Sequence, residues 1–307
     1  MAPSYKNLSP ADWGHKREFF KDCFSPCRLC PRQCGVERES SQPGVCQALK
    51  EVKIASHNLH FGEEPPISGS RGSGTIFFSG CTLKCLFCQN YPISQLCHGE
   101  FYTVEQLAGI LLSLQRRGAH NINLVSPTPY LHHILDALEI ACTQGLNIPF
   151  VYNTSGYESA EMIVQLEGIV DIYLPDLKYG PSASSRRLAR QLSGVNDYFE
   201  NAVAAIGEMF RQTGPLHVDE DGMALRGTVI RHLIIPNETA NSLEVLQALA
   251  ATPFRDTHLS LMSQYFPAHR APDSPPYNRR LRASEYRQVK EAALSLGIEN
   301  GWFQDLD

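Results

Sequence analysis

From residue 74 onward the chain exchanges short apolar runs and amphipathic segments in strict order, and this limits its fold more than anything else in the sequence. The runs "GTIFFSG" (74–80), "NINLVS" (121–126), "IPFVYNTSG" (148–156), "VDIYLPDLKYG" (170–180), "TVIRHLIIPN" (228–237) and "HLSLMSQYF" (258–266) read as strands. Between them "TVEQLAGILLSLQRRG" (103–118), "YLHHILDALEIACTQG" (130–145), "SAEMIVQLEG" (159–168), the region 183–213 and "TANSLEVLQALA" (239–250) read as helices. The strand runs are too apolar on both faces for a half-exposed antiparallel sheet, so the pattern predicts a parallel α/β architecture. A doubly wound sheet and a closed or partial barrel share this signature. In either, functional residues belong at the C-terminal ends of the strands.

Residues 1–73 stand outside the alternation. They are rich in Cys, Pro, Gly and Ser and hold too few apolar residues for a core of their own, which predicts an extension stapled by metal. Residues 74–270 form the α/β unit, and 271–307 read as a Pro-rich connector followed by one helix. Of 307 residues 43% are hydrophobic and 19% charged, enough for a sizeable core. A formal charge of −5 without a Lys/Arg block lacks the footprint of a nucleic-acid binder. No stretch approaches the roughly 20 apolar residues of a membrane span, and Met1 to Cys23 has no apolar signal region, so the expected setting is the cytoplasm.

Seven of the ten cysteines fall into two clusters, which fits metal ligation better than disulfides. Cys81, Cys85 and Cys88 run C-x3-C-x2-C directly after the first strand. A closed zinc site or an ordinary cluster takes four protein ligands, so three thiolates suggest one open coordination position. Cys27, Cys30, Cys34 and Cys46 can close a site, either a structural zinc or an auxiliary iron–sulfur cluster. Cys23, Cys97 and Cys142 have no partner at motif spacing and are read as incidental.

The central motif, with aromatic Phe87 before its last cysteine, resembles the radical SAM superfamily. The resemblance implies that Cys81, Cys85 and Cys88 hold a 4Fe-4S cluster whose fourth iron binds S-adenosylmethionine (SAM), with Phe87 near the adenine. It further implies reductive cleavage of SAM to a 5′-deoxyadenosyl radical that abstracts hydrogen, an oxidoreductase-type reaction fed by a low-potential donor such as flavodoxin or ferredoxin. "YNTSG" (152–156) resembles the ribose-binding strand end, giving Asn153 and Ser155 as hydroxyl partners. "PDLKYG" (175–180) gives Asp176 as a supporting group and Lys178 as the partner of the SAM carboxylate; "VIRHLIIPN" (229–237) gives Arg231 as a positioning residue. Where the family's second strand ends in Gly-Gly-Glu, this chain has "LVSPTPY" (124–130), with Ser126 and Thr128 as the oxygen acceptors at that place.

Over residues 27 to 270 the strings "CRLCPRQCGV", "HFGEEPPISGSRGSGTIFFSGC", "CQNYPIS", "VSPTPY" and "LMSQYFP" are similar to the PflX-type homologues of pyruvate formate-lyase activating enzyme. The fold this implies is α/β, a partial (β/α)6 TIM-like barrel behind an N-terminal Cys-rich metal-binding extension. The substrate it leaves open: a small molecule, a peptide or a partner protein. A glycyl-radical enzyme activase is one alternative; a metal-stapled, non-catalytic interaction module is another, motivated by the missing Gly-Gly-Glu. Glu63 and Glu64 are candidates for acid or base groups at the barrel mouth. Tyr265 is set between a SAM contact and core packing.

Overall fold

The computed structural model describes residues 2–304, so residue 1 and residues 305–307 of the expected terminal regions lie outside it. The strands in chain order are β1 (Val52–His60), β2 (Ser73–Phe78), β3 (Glu100–Tyr102), β4 (Ile122–Val125), β5 (Phe150–Thr154), β6 (Ile172–Pro175), β7 (His217–Val218), β8 (Ala224–Leu233), β9 (His258–Met262) and β10 (Gly301–Phe303). The helices are α1 (Pro10–Phe24), α2 (Pro65–Ser68), α3 (Tyr91–Ser94), α4 (Val104–Arg116), α5 (Leu131–Thr143), α6 (Ala160–Gln165), α7 (Ala183–Ser193), α8 (Tyr198–Thr213), α9 (Thr239–Ala250) and α10 (Ala283–Ser295).

The six anticipated strands are β2, β4, β5, β6, β8 and β9, and they lie side by side in that order with every neighbouring pair parallel. β10 extends the path parallel to β9, while β1 and β3 extend the other edge antiparallel. The path runs from β10 to β3 without pairing between its ends among the described residues, which makes a partial rather than a closed barrel. Four strands, β1, β3, β7 and β10, and the helices α1, α2 and α3 were not foreseen. β1 comes from the Cys-rich extension, and β10 is a three-residue strand beyond the last expected helix.

Local chemistry explains the main elements. Thr103 and Gln106 form a capping box that starts α4, whose buried stripe holds Leu107, Ile110, Leu111 and Leu114. Ser9 and Asp12 do the same for α1, with Pro10 at its first turn. β5 is buried at all five positions, as a central parallel strand requires. No helix among the described residues is long and apolar enough to cross a membrane.

One arrangement positions the site. The segment after β1 turns back under the barrel, and Ile67 packs among Val151, Ile172, Leu174, Ala224 and Val229. Asn121 holds it there through its side-chain N–H to the Ile67 carbonyl at 2.8 Å, and accepts from Ser73 Oγ at 2.6 Å. Because strand residues two apart share a face, Asn153, Asp176 and Arg231 stand above this apolar plug on the lumen side.

Candidate functional site

A cavity of about 980 Å³ opens at the C-terminal ends of the parallel strands. Its walls include Cys81, Cys85, Phe87, Cys88, Ser126, Asn153, Ser155, Asp176, Lys178 and Arg231, so ten positions singled out along the sequence meet in one space.

The cysteine loop is built into the fold by its backbone. Lys84 N–H donates to Ser193 O at 3.1 Å and Leu86 N–H to Leu192 O at 2.7 Å, pinning the loop to the end of α7. Gly80 turns into it at φ +89, where a Cβ would lie 2.4 Å from the Cys46 carbonyl, so only glycine fits. Cys85 Sγ lies 3.0 Å from Ser193 Oγ, and Cys88 Sγ 3.1 Å from Ser94 Oγ. Burial pushes the Cys81 thiol up to about 12 and the Cys85 thiol up to about 11, the latter opposed by Lys178. Phe87 is buried with its ring 5.6 Å from that of Tyr265, whose hydroxyl donates to the Tyr277 carbonyl. Tyr265 both lines the cavity and packs in the core.

The polar wall is a linked set of charges. Lys178 pairs with Asp176, whose other oxygen is 3.5 Å from Arg231 Nε. Arg231 also donates to Glu63 at 2.9 Å and to Asn153 Oδ1, and Glu63 accepts from Asn123 Nδ2 at 2.9 Å. Burial alone would lower Arg231, but Glu64, Glu63 and Asp176 outweigh it and hold the guanidinium charged. Glu63 and Glu64 thus rise from the floor of the lumen instead of lining its mouth. Their signal was the pair of acids before Pro65-Pro66. Replacing the guanidinium by Arg231→Met leaves Glu63, Glu64 and Asp176 facing one another with the buried charge unmatched. Stability should fall by about 3–5 kcal/mol, read as a lower urea midpoint at constant slope.

Thr128 does not line the cavity, contrary to the expectation for it. Its hydroxyl donates to Glu158 at 2.6 Å and lies 3.1 Å from the Tyr152 hydroxyl, behind the strand ends. Ser126, two residues earlier, does face the cavity. The proline-flanked turn carries Thr128 into the first residues of a short helical turn (Thr128–Tyr130) and so points it away. Glu158 was not anticipated. It is 1% exposed, and burial raises its carboxyl to about 7. In the folded state it keeps its proton until pH nears 7, whereas an unfolded glutamate ionises near 4.5. Stability from this group is therefore full below about pH 4.5 and lost as pH rises through 7. Glu158→Gln should remove about 3 kcal/mol of that pH dependence, seen as a flatter plot of unfolding free energy against pH between 4 and 8.

The second cysteine set docks against the first. Arg32 Nε donates to the Thr82 carbonyl at 2.6 Å, joining the two loops. Cys27, Cys30 and Cys46 are buried and Cys34 partly so. The backbone N–H groups of Leu29 and Arg32 act on the Cys27 and Cys30 thiols in the sense that favours thiolate, against the larger cost of burial. A Cβ at Gly44 would come 2.8 Å from Cys34 Sγ. Burial pushes Cys30 up to about 12 and raises Cys27, and the charges of Cys34 and Cys46 act on Cys27. Cys97, read as incidental, lies beside the set with its sulfur 4.0 Å from the Cys46 carbonyl. All ten thiols are free, and among the described residues no group of three or more His, Cys, Asp or Glu side chains stands arranged to hold a metal ion. The case for metal at either set rests on the donors: soft sulfur, gathered by sequence spacing and met by backbone N–H groups.

Comparison with known proteins adds to this geometry. The sequence model of the radical SAM superfamily matches residues 75–250. An uncharacterized protein of Methanocaldococcus jannaschii is 33% identical over 293 residues, covering 92% of this chain and 79% of the relative. A second uncharacterized protein of that organism is 24% identical over 294 residues, covering 90% and 78%. Among solved structures, methylornithine synthase aligns at TM-score 0.46 and 15% identity over 70% of this chain and 59% of that one. Native anSMEcpe with bound AdoMet aligns at TM-score 0.47 and 13% identity over 71% and 57%. The chain spans less than two-thirds of the length of these two structures.

Proposed function

Because the chain belongs to the radical SAM superfamily, we propose that it abstracts hydrogen from a free small molecule held in the barrel lumen, using a 4Fe-4S cluster on Cys81, Cys85 and Cys88 and SAM beside it. The observation that carries this reading is the meeting of those three thiols with Asn153, Ser155, Asp176, Lys178 and Arg231 around one cavity. When bound, the cluster and SAM supply reductive cleavage of the sulfonium and a 5′-deoxyadenosyl radical. The chain's own residues then have separable tasks. The three thiols would hold iron, and Phe87 offers an apolar face beside the loop. Lys178, kept charged by Asp176 against the cost of burial, suits the SAM carboxylate. Asn153 and Ser155 suit ribose hydroxyls, and Ser126 offers an oxygen at the β4 end where Gly-Gly-Glu is missing. Thr128, bound to Glu158 behind the strand ends, is not one of this set.

A small-molecule substrate is supported by how the lumen is bounded. The plug on α2 forms its floor, His60 and Phe77 flank it on one edge, and Trp302 and Phe303 of β10 flank it on the other. That volume lies within the range of small-molecule sites and suits a cofactor with a metabolite. The reading further includes a PflX-type placement, a low-potential flavodoxin or ferredoxin as donor, and a cytoplasmic setting in which thiols stay reduced. It keeps 1–73 as the Cys-rich extension, with β1 lent to the sheet, 74–270 as the barrel and 271–307 as connector and helix.

Extract from deuterium-grown cells, split by ultrafiltration, tests the substrate. Reconstituted protein with a reductant should place deuterium in 5′-deoxyadenosine from the small-molecule fraction. Deuterium from the macromolecular fraction alone would favour an activase instead.

A further inference from the structure

One carboxylate of the cavity, Glu64, supports the charge of Arg231 without a hydrogen bond at its Oε2. Glu64 is 8% exposed, lines the cavity, and its Oε2 has no hydrogen-bond partner. The charges around it are already matched: Asp176 with Lys178, and Glu63 with Arg231 at 2.9 Å. Glu64 reaches only the already engaged Arg231 Nη1, at 3.7 Å, beyond hydrogen-bond length. Three carboxylates therefore face two cations, and the surplus negative charge sits in a desolvated floor. Such a group is costly unless a cation meets it.

We propose that Glu64 is the seat of a cationic nitrogen, an alkylammonium or guanidinium, carried by the ligand that occupies the floor of this cavity. The proposal rests on the small-molecule reading given above and names its substrate class. Two molecules can bring such a nitrogen, the substrate and SAM itself. The arrangement favours the substrate. Glu64 comes from the segment that enters the α2 plug beneath Asn153, Asp176 and Arg231, whereas the cysteine loop follows the C-terminal end of β2 and is pinned to the end of α7. A nitrogen at Glu64 would be joined to Lys178, the residue suited to the SAM carboxylate, only through Arg231 and Asp176. Glu64 is also held firmly: its carbonyl accepts from Ile67 and Ser68, so the α2 plug fixes the side chain's origin.

The test uses the isosteric variant Glu64→Gln in the full-length, reconstituted protein, with agmatine, its neutral counterpart n-butanol, SAM and 5′-methylthioadenosine as probes. Without ligand, the variant should melt no lower than the parent, and up to about 2 °C higher, because a surplus buried charge is gone. Agmatine should raise the melting temperature of the parent and bind the variant at least tenfold more weakly, with n-butanol inert in both. SAM affinity, read by the change in the reduced cluster's electron paramagnetic resonance signal, should be the same in both. If SAM instead weakens tenfold while methylthioadenosine, which lacks the ammonium, does not, the seat stands and its occupant is the SAM ammonium. A variant that is less stable than the parent, or that fails to fold, makes Glu64 a structural counter-ion of Arg231 and overturns the proposal. So does equal binding of agmatine and of SAM by parent and variant. A parent that binds agmatine but not SAM would keep the seat and count against the radical SAM reading.

Discussion

Cys85→Ala should lower 5′-deoxyadenosine formation to background and remove about four irons per chain, while far-ultraviolet circular dichroism and the unfolding midpoint stay close to those of the parent. The separation of these effects follows from how the loop is held. Its anchors are the amides of Lys84 and Leu86 on the carbonyls of Ser193 and Leu192, which do not involve the thiol. Cys85 is only half-buried, so cutting it to alanine leaves a small void and costs stability modestly. Ser193, 3.0 Å from Cys85 Sγ and 2.6 Å from the Tyr179 hydroxyl, orients that sulfur without ligating. Ser193→Ala should therefore cost only the roughly 10–100-fold typical of outer partners at metal sites. If Cys85→Ala retained the parent rate of SAM cleavage, the assignment of this loop would be lost.

Cys27→Ala should act in the opposite way, lowering thermal stability first and turnover as a consequence. The Cys27, Cys30, Cys34 and Cys46 loops carry little regular structure, although Cys27 and Cys46 sit in the main core and Cys34 packs against it. A metal shared by four thiolates would supply folding free energy there, about 10–16 kcal/mol for structural zinc in isolated fingers. Part of that stays available in the protein because α1 and β1 pack into the main core independently. The effect should reach the cluster loop through Arg32 to Thr82 and through the contact of Gly80 with Cys46. Chelation should mimic the substitution. Unchanged melting in both experiments would mean that this set binds no structural metal. Iron near eight per chain would make it an auxiliary cluster, and zinc near one a staple.

The parallel core was legible because it is written in local chemistry. β2, β4, β5, β6, β8 and β9 each announce themselves by an apolar run, and α4 by its capping box and stripe. β1 and β10 were not legible for the same reason. "VKIASHNLH" alternates and sits beside the cysteines, and "GWF" is too short to carry a period, so both depend on an edge supplied by distant residues. The site divides similarly. Cys81, Asn153, Asp176, Lys178 and Arg231 lie at or just past strand ends, where a parallel α/β fold gathers chemistry. Thr128 fails because a single turn decides which way it faces. Glu158 and the floor position of Glu64 were hidden because burial of a carboxylate is a property of what packs around it, and the neighbours, Tyr152 of β5 for Glu158 and Arg231 of β8 for Glu64, come from separate strands.

The central claim is tested most directly by one anaerobic sample in which iron, acid-labile sulfide and the conversion of SAM to 5′-deoxyadenosine under a low-potential reductant are all measured. The account predicts at least four irons and four sulfides per chain with turnover that scales with them. Four irons held without any 5′-deoxyadenosine would contradict it and leave the barrel a metal-stapled scaffold.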